Sequence, residues 1–135
     1  MRSILADTGP LVALFKKRDP LHRPTVRWIE ANAKRLLTTW LVVTEVCHFL
    51  DHKGKLALLR MIERDALTVV DTTAADVAEL ATVLGKYADH DIDLADASLV
   101  LVAERTGATE VVTIDRADFS LFRLSRNRAF TIAFP

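Results

Sequence analysis

The chain has 135 residues, of which 50% are hydrophobic and 27% are charged, and its 18 basic residues balance its 18 acidic residues. This length predicts one domain over residues 1–135, with enough apolar residues to build a core. The longest uncharged run is far shorter than the ~18 residues that a membrane-spanning helix needs, and the N-terminal apolar stretch is too short for a signal peptide. The only cysteine is Cys47, which excludes an internal disulfide. We therefore expect a cytoplasmic protein that does not associate with a membrane.

The first half of the chain alternates short apolar runs with segments of helical periodicity. Pro10 fits the first turn of a helix, because its missing N–H costs nothing there. Asp19-Pro20 and Gly54 are predicted to separate neighbouring helices. In chain order, this half predicts strand 2–7, helix 10–17, helix 23–33, strand 36–39, helix 42–52 and helix 55–65.

The second half continues the alternation. Thr72 or Thr73 is suited to cap a long helix, and Gly107 is suited to end the most apolar one. The predicted elements are strand 67–70, helix 74–87, helix 94–106, strand 110–114, a short turn or helix at 117–121 and strand 130–133. Alternating strands and helices predict an α/β fold with a mainly parallel sheet. In such sheets, sites form beyond the carboxyl ends of the strands, where the strand order reverses.

Four carboxylates interrupt the most apolar stretches of the chain. Asp7 and Asp115 each end an apolar strand, and Glu45 and Asp96 each lie near the start of a helix. Withdrawing an ionised carboxylate from water costs several kcal/mol unless a partner charge compensates. No Lys or Arg lies within these apolar runs, so the natural partner is a hard divalent cation, which prefers oxygen ligands.

Strand ends and helix starts can converge on one edge of a sheet, so these four acids are candidates for a single site. Carboxylates alone suit Mg²⁺ or Mn²⁺, and the scattered histidines argue against zinc. Asp93 and Asp118 are weaker candidates for the same site. Each acid also has a simpler explanation, since Asp7 could cap a helix and Asp96 could favour a helix dipole.

Two kinds of chemistry suit such a site. A bound cation could activate water for attack on a phosphodiester, or it could hold a phosphate without hydrolysis.

If four of the 18 acids neutralise metal, 14 remain against 18 basic residues, so a neutral net charge does not exclude binding of a nucleic acid. Basic residues that could hold its backbone, or form an ordinary solvated face, are Lys16, Lys17, Arg18, Arg23, Arg27, Lys34, Arg35, Lys53, Lys55, Arg116, Arg123, Arg126 and Arg128.

The order of the acidic motifs resembles the PIN domain. The motifs are Asp7-Thr8-Gly9-Pro10-Leu11, Thr44-Glu45, Asp93-Leu94-Ala95-Asp96-Ala97 and Thr113-Ile114-Asp115-Arg116-Ala117-Asp118-Phe119. The chain is most similar to the VapC-type toxins of prokaryotic toxin–antitoxin pairs. By position, Asp7, Glu45, Asp96 and Asp115 match the family's acidic quartet, and Asp93 and Asp118 match acids often found beside it.

This resemblance implies a fold and an activity. The fold would be a three-layer α/β/α sandwich, with a mainly parallel sheet of about five strands between helices. The activity would be Mg²⁺- or Mn²⁺-dependent cleavage of RNA by a homodimer, inhibited by a small antitoxin protein that occupies the cleft. The alternative is a metal-loaded module of this fold that binds RNA or a protein and has little or no nuclease activity.

Overall fold

The computed structural model describes residues 2–32 and 35–134, and five of its strands form one sheet. The strands in chain order are β1 (Ser3–Ala6), β2 (Arg35–Thr39), β3 (Thr68–Val70), β4 (Glu110–Val112), β5 (Arg123–Leu124), β6 (Arg128–Ala129) and β7 (Thr131–Phe134). The central sheet has the order β3-β2-β1-β4-β7, and its neighbours pair in parallel. The strand order reverses at β1, because β2 lies on one side of it and β4 on the other.

Helices flank this sheet. They are α1 (Thr8–Phe15), α2 (His22–Ala31), α3 (Trp40–His48), α4 (His52–Glu63), α5 (Val77–Lys86), α6 (Leu94–Thr106) and α7 (Arg116–Leu121). Right-handed crossovers between parallel strands put α1 to α4 over one face and α5 to α7 over the other. The predicted fold class, a mainly parallel five-stranded sheet between helices, is confirmed.

Helix α6 has the predicted bounds, 94–106, because local signals define both of its ends. The side chain of Asp93 caps its start, and Gly107 ends it with a φ of +77°, a conformation that only glycine adopts at little cost. The predicted end of the 23–33 helix lies outside the described residues, since α2 is described only to Ala31.

The predicted break at Gly54 was wrong. Helix α3 ends at His48, and Gly54 lies inside α4. The break is instead produced by Asp51, whose Oδ1 accepts a hydrogen bond from the Gly54 backbone N–H at 2.8 Å. An aspartate that caps a helix in this way marks its start more strongly than a glycine marks its end.

The antiparallel pair of β5 and β6 was not predicted. Each strand has two residues, too few to show a periodic pattern, and the connecting turn places Arg126 and Asn127 at positive φ. The Tyr87 hydroxyl accepts a hydrogen bond from the Arg123 backbone N–H at 2.8 Å. The hairpin is therefore attached to the body of the protein by a buried tyrosine at the end of the predicted 74–87 helix.

The core is a continuous set of buried aliphatic and aromatic side chains. At one end of it, Phe122 is fully buried, and its ring centroid lies 5.1 Å from that of Phe119 and 5.0 Å from that of Tyr87. Phe49 lies within the predicted 42–52 helix but follows the end of α3, and it is 53% exposed. No helix within residues 2–32 and 35–134 combines the length and the apolar character needed to cross a bilayer.

Phe122→Ala should lower the free energy of unfolding by about 3–5 kcal/mol, because it removes a fully buried ring from a packed aromatic cluster. Phe49→Ala is the matched control and should change stability by less than ~0.5 kcal/mol, since surface substitutions have small effects. Urea unfolding followed by tryptophan fluorescence measures both. Equal losses in the two variants would contradict this packing.

Candidate active site

Pairing of β1 with β4 brings Asp7 beside Thr113. Ala6 is the register partner of Val112, and the Asp7 backbone N–H donates to the Val112 carbonyl at 3.0 Å. The next residues on the two strands are therefore neighbours, and the Thr113 hydroxyl donates to Asp7 Oδ2 at 2.7 Å. Both lie at the carboxyl edge of the sheet, at the point where the strand order reverses, which is the expected place for a site.

Thr113 also positions the segment that follows β4. Its Oγ1 accepts a hydrogen bond from the Asp115 backbone N–H at 2.9 Å. Asp115 in turn caps α7, because its Oδ1 accepts the Asp118 backbone N–H at 3.0 Å. The Thr113 hydroxyl thus fixes the position of Asp7 relative to the backbone of Asp115. The Oδ2 atom of Asp115 takes no part in capping α7.

The two segments also meet at Gly9. A Cβ atom built on Gly9 would lie 2.5 Å from Cγ1 of Ile114, closer than two carbon atoms can approach without a shift. Ile114 separates Thr113 from Asp115, so an alanine at position 9 would force the exposed Ile114 side chain to move. The glycine of the Asp7-Thr8-Gly9-Pro10 motif therefore lies in close contact with the last acidic segment.

Helix α6 brings two more acids to this edge. Asp93 Oδ1 accepts the Asp96 backbone N–H at 2.8 Å, and Asp96 lies in the first turn with only 7% of its surface exposed. The end of β2 and helix α6 are joined by a buried hydrogen bond of 2.7 Å between the Thr39 and Ser98 hydroxyls. Neither hydroxyl was predicted to matter, although a serine inside the most apolar helix was a signal for such a contact.

The predicted acidic residues lie at different distances from one another. Within the described part of the chain, the carboxylates with oxygens inside 4.8 Å of one another are those of Asp96, Asp115 and Asp118. Asp7 lies near enough for its charge to act on Asp96. Glu45 is half-buried and lies in the wall of an adjoining groove of about 650 Å³, which we call the acidic groove; its lining residues are Leu41, Thr44, Glu45, His48, Phe49, Asp93, Leu94 and Ala95.

Burial and mutual repulsion make these acids hard to ionise. Burial raises the pKa of Asp7 from 3.8 to about 6, although the Thr113 hydrogen bond opposes the rise. Burial, followed by the negative charges of Asp7 and Asp93, raises the pKa of Asp96 to about 8. The pKa of Asp118 is raised by burial and by Asp115, and His90 opposes that rise. His90 therefore lies close enough to act on the cluster, a proximity that was not predicted.

The donor set fits a hard divalent cation. The ligands on offer are carboxylate oxygens, and such a cation would remove the repulsion that raises these pKa values. The Thr8 hydroxyl, next to Asp7, is the one buried side-chain polar atom of the described residues without a hydrogen-bond partner. A coordinated cation or its water would supply a partner for an atom of this kind. The geometry of this cluster fits a divalent cation.

Without a divalent cation, the free energy of unfolding should fall as the pH rises from about 4 to about 8. Between about pH 4 and pH 6 the folded chain still binds protons that the unfolded chain has lost from both Asp7 and Asp96, and from about pH 6 to pH 8 it does so only at Asp96. The expected slope is ~1.4 kcal/mol per pH unit for each such carboxyl group. Mg²⁺ should oppose this loss, so its stabilising effect should grow with pH. Thermal unfolding in EDTA and in Mg²⁺ measures both effects.

Asp96→Asn should flatten the pH dependence and reduce the response to Mg²⁺. Asp89→Asn is the matched control, because Asp89 is exposed in the turn before α6. A pH dependence that persists in Asp96→Asn would place its origin elsewhere in the protein.

Comparison with known proteins agrees with this geometry. Ribonuclease VapC26 of Mycobacterium tuberculosis (strain ATCC 25618 / H37Rv) is 29% identical over 133 residues, covering 96% of this chain and 98% of that protein. The crystal structure of Mycobacterium tuberculosis VapC20, described as a sarcin-ricin loop cleaving toxin, superposes with a TM-score of 0.76 at 19% identity, covering 84% of this chain and 91% of that one. The PIN domain matches residues 4–123, and the chain therefore belongs to the PIN domain family.

Proposed function

We propose that this protein is a metal-dependent endoribonuclease that uses Mg²⁺ or Mn²⁺. The observation that carries the proposal is the convergence of acids at the reversal point of the sheet. Oxygens of Asp96, at the start of α6, and of Asp115 and Asp118, after β4, come within 4.8 Å of one another, and Asp7 follows the neighbouring strand β1. A structural role does not require so many buried like charges, since each raises the cost of folding. Metal-dependent hydrolysis of a phosphodiester accounts for them, because it depends on a cation held beside the substrate.

We assign the metal ligands to Asp7, Asp96 and Asp115, with Glu45 completing or bridging the site and Asp93 and Asp118 assisting. When bound, the cation would lower the pKa of a coordinated water and neutralise charge on the phosphate. Thr113 holds Asp7 in place through its hydroxyl. Asp93 and Asp115 orient the starts of α6 and α7 with one oxygen each. Glu45 presents its carboxylate to the acidic groove, where the substrate would enter.

The relatives support RNA as the substrate. One is named a ribonuclease, and the other is described as cleaving the sarcin-ricin loop. We infer that the chain forms one nuclease domain over residues 1–135 and is the toxin of a toxin–antitoxin pair. It would act as a homodimer and be inhibited by a small antitoxin protein. Growth arrest on expression, relieved by the product of the adjacent gene, would test the toxin role.

Purified protein should cleave a pool of RNA substrates in Mg²⁺ or Mn²⁺ and should not do so in EDTA. Asp96→Asn and Asp7→Asn should each lower kcat by at least ~100-fold, because each removes a negative charge that holds the cation. Asp89→Asn should retain the activity of the parent protein. Gel analysis of end-labelled RNA measures the rates.

Two results would contradict the proposal. Cleavage that survives both EDTA and Asp96→Asn would exclude the metal mechanism. If the protein binds Mg²⁺ by calorimetry but cleaves no RNA in the pool, the domain would instead be the metal-loaded binding module considered as the alternative.

Thr113→Val should weaken metal binding by about 10–100-fold, the usual effect of removing a hydrogen bond that orients a ligand. The substitution keeps the shape of the side chain but removes the donor to Asp7 and the acceptor for the Asp115 N–H. Thr113→Ser keeps both and should restore most of the affinity. Calorimetric titration with Mn²⁺ measures the affinity, and equal affinities for the two variants would show that the hydroxyl is not needed.

A further inference from the structure

A second groove, of about 730 Å³, adjoins the acidic groove. It runs between the segment after α1 and the start of α4, and we call it the basic groove. Its charged lining residues are Lys16, Lys17, Arg18, Lys53 and Asp51, with His22 at its edge. His48 and Phe49 line both grooves, so the two are continuous around the end of α3.

The basic groove has an excess of positive charge. Lys16, Lys17 and Arg18 come from one segment and Lys53 from another, and all four are exposed. Within residues 2–32 and 35–134, none of these four forms an ion pair with a carboxylate. The one acid in the lining, Asp51, uses an oxygen to cap α4. Four cations without an acidic partner in one groove repel one another, and an anionic ligand would relieve that repulsion.

The acidic groove links this positive charge to the carboxylate cluster. Asp93 lies in its wall and is also close enough for its charge to act on Asp7 and Asp96. Glu45 lies in the same wall, and His48 follows it one turn later along α3. A continuous path therefore leads from the cluster, along α3, to the four cations.

We propose that the basic groove binds the sugar-phosphate backbone of the same single-stranded RNA whose scissile phosphate lies at the acidic cluster. This inference rests on the proposed nuclease function and specifies the path of its substrate. A polyanion fits the groove because its cations are spread over two segments rather than gathered at one point. The groove would thus supply the affinity that the acidic cluster, which repels phosphate, lacks.

Phe49 lies at the junction of the two grooves and offers a surface for a base. Its ring is 53% exposed and is held at its edge by His48, with ring centroids 6.0 Å apart and planes at 85°. Aromatic side chains on such paths bind unstacked bases of any sequence. Phe49→Ala should raise the Kd for RNA by at least about fivefold, and Phe49→Tyr should restore it.

The decisive test compares two double variants that lose the same charge. Lys17→Ala with Lys53→Ala removes one cation from each side of the basic groove. Arg60→Ala with Arg64→Ala removes two exposed cations from the end of α4 that do not line it. Both are made in the Asp96→Asn background, so that RNA is not cut. Binding of a random 20-nucleotide single-stranded RNA in Mg²⁺ is followed by fluorescence anisotropy at several salt concentrations.

The groove variant should raise Kd on the order of tenfold and reduce the slope of log Kd against log salt by about 1.4, since each phosphate contact on a single strand contributes about 0.7. The control should change Kd less than twofold. In the Asp96-containing protein, the groove variant should raise KM for cleavage and leave kcat unchanged.

Equal effects of the two double variants would overturn the proposal, because only net charge would then matter. The proposal would also be overturned if the groove variant no longer bound a ten-residue acidic peptide but still bound RNA as the parent does. The basic groove would then bind a protein partner. Failure of the parent protein to cleave RNA would refute the nuclease function and leave the binding comparison valid.

Discussion

The site depends above all on the parallel pairing of β1 with β4. These strands are more than a hundred residues apart in the chain, yet their register places Asp7 next to Thr113 and leaves one hydroxyl to hold both acidic segments. A shift by one residue would turn each side chain to the opposite face of the sheet. The buried apolar residues of both strands, such as Leu5 and Val111, prevent that shift.

The cluster is built at a cost to stability. Asp7 and Asp96 are buried, and their neighbours are negative, so the pKa of each is raised and the folded chain still holds a proton on Asp96 near neutral pH. Such a site is stable only because the hydrogen bonds around it come from rigid elements: Thr113 at the end of β4, and the starts of α6 and α7. A cation would convert the repulsion into attraction, which couples its binding to the stability of the fold.

The positions of the charged residues in the fold matter more for binding of RNA than the net charge of the chain. The chain is neutral overall, but the fold gathers acids at the edge of the sheet and cations around the end of α3. Some basic residues that were candidates for RNA contact serve the fold instead. Arg123 donates from Nη1 to the carbonyls of Ser120 and Phe122, each at 2.8 Å, and so closes the end of α7. Lys53, by contrast, lies in the basic groove, so the tertiary structure separates structural cations from those that face solvent.

Local patterns were sufficient for the fold class, for the bounds of α6 and for the acids worth examining, because these depend on periodicity, capping and apolar runs within a few residues. They failed at Gly54, which was predicted to end a helix but lies inside α4, because the cap formed by Asp51 starts that helix. They also failed at the β5–β6 hairpin, whose strands are too short to show a pattern. Helix α3 ends at His48, about one turn before the predicted bound at 52, so Phe49 lies beyond it.

The sequence by itself determined that carboxylates lie at strand ends and helix starts in a parallel α/β fold. Only the tertiary structure decided that Asp118 approaches Asp96 and Asp115, that Glu45 lies in a neighbouring groove, and that His90 acts on the cluster. These relations join residues from different loops, and their distances depend on how helices pack over the sheet. No local pattern encodes that packing, since it arises from contacts between segments far apart in the chain.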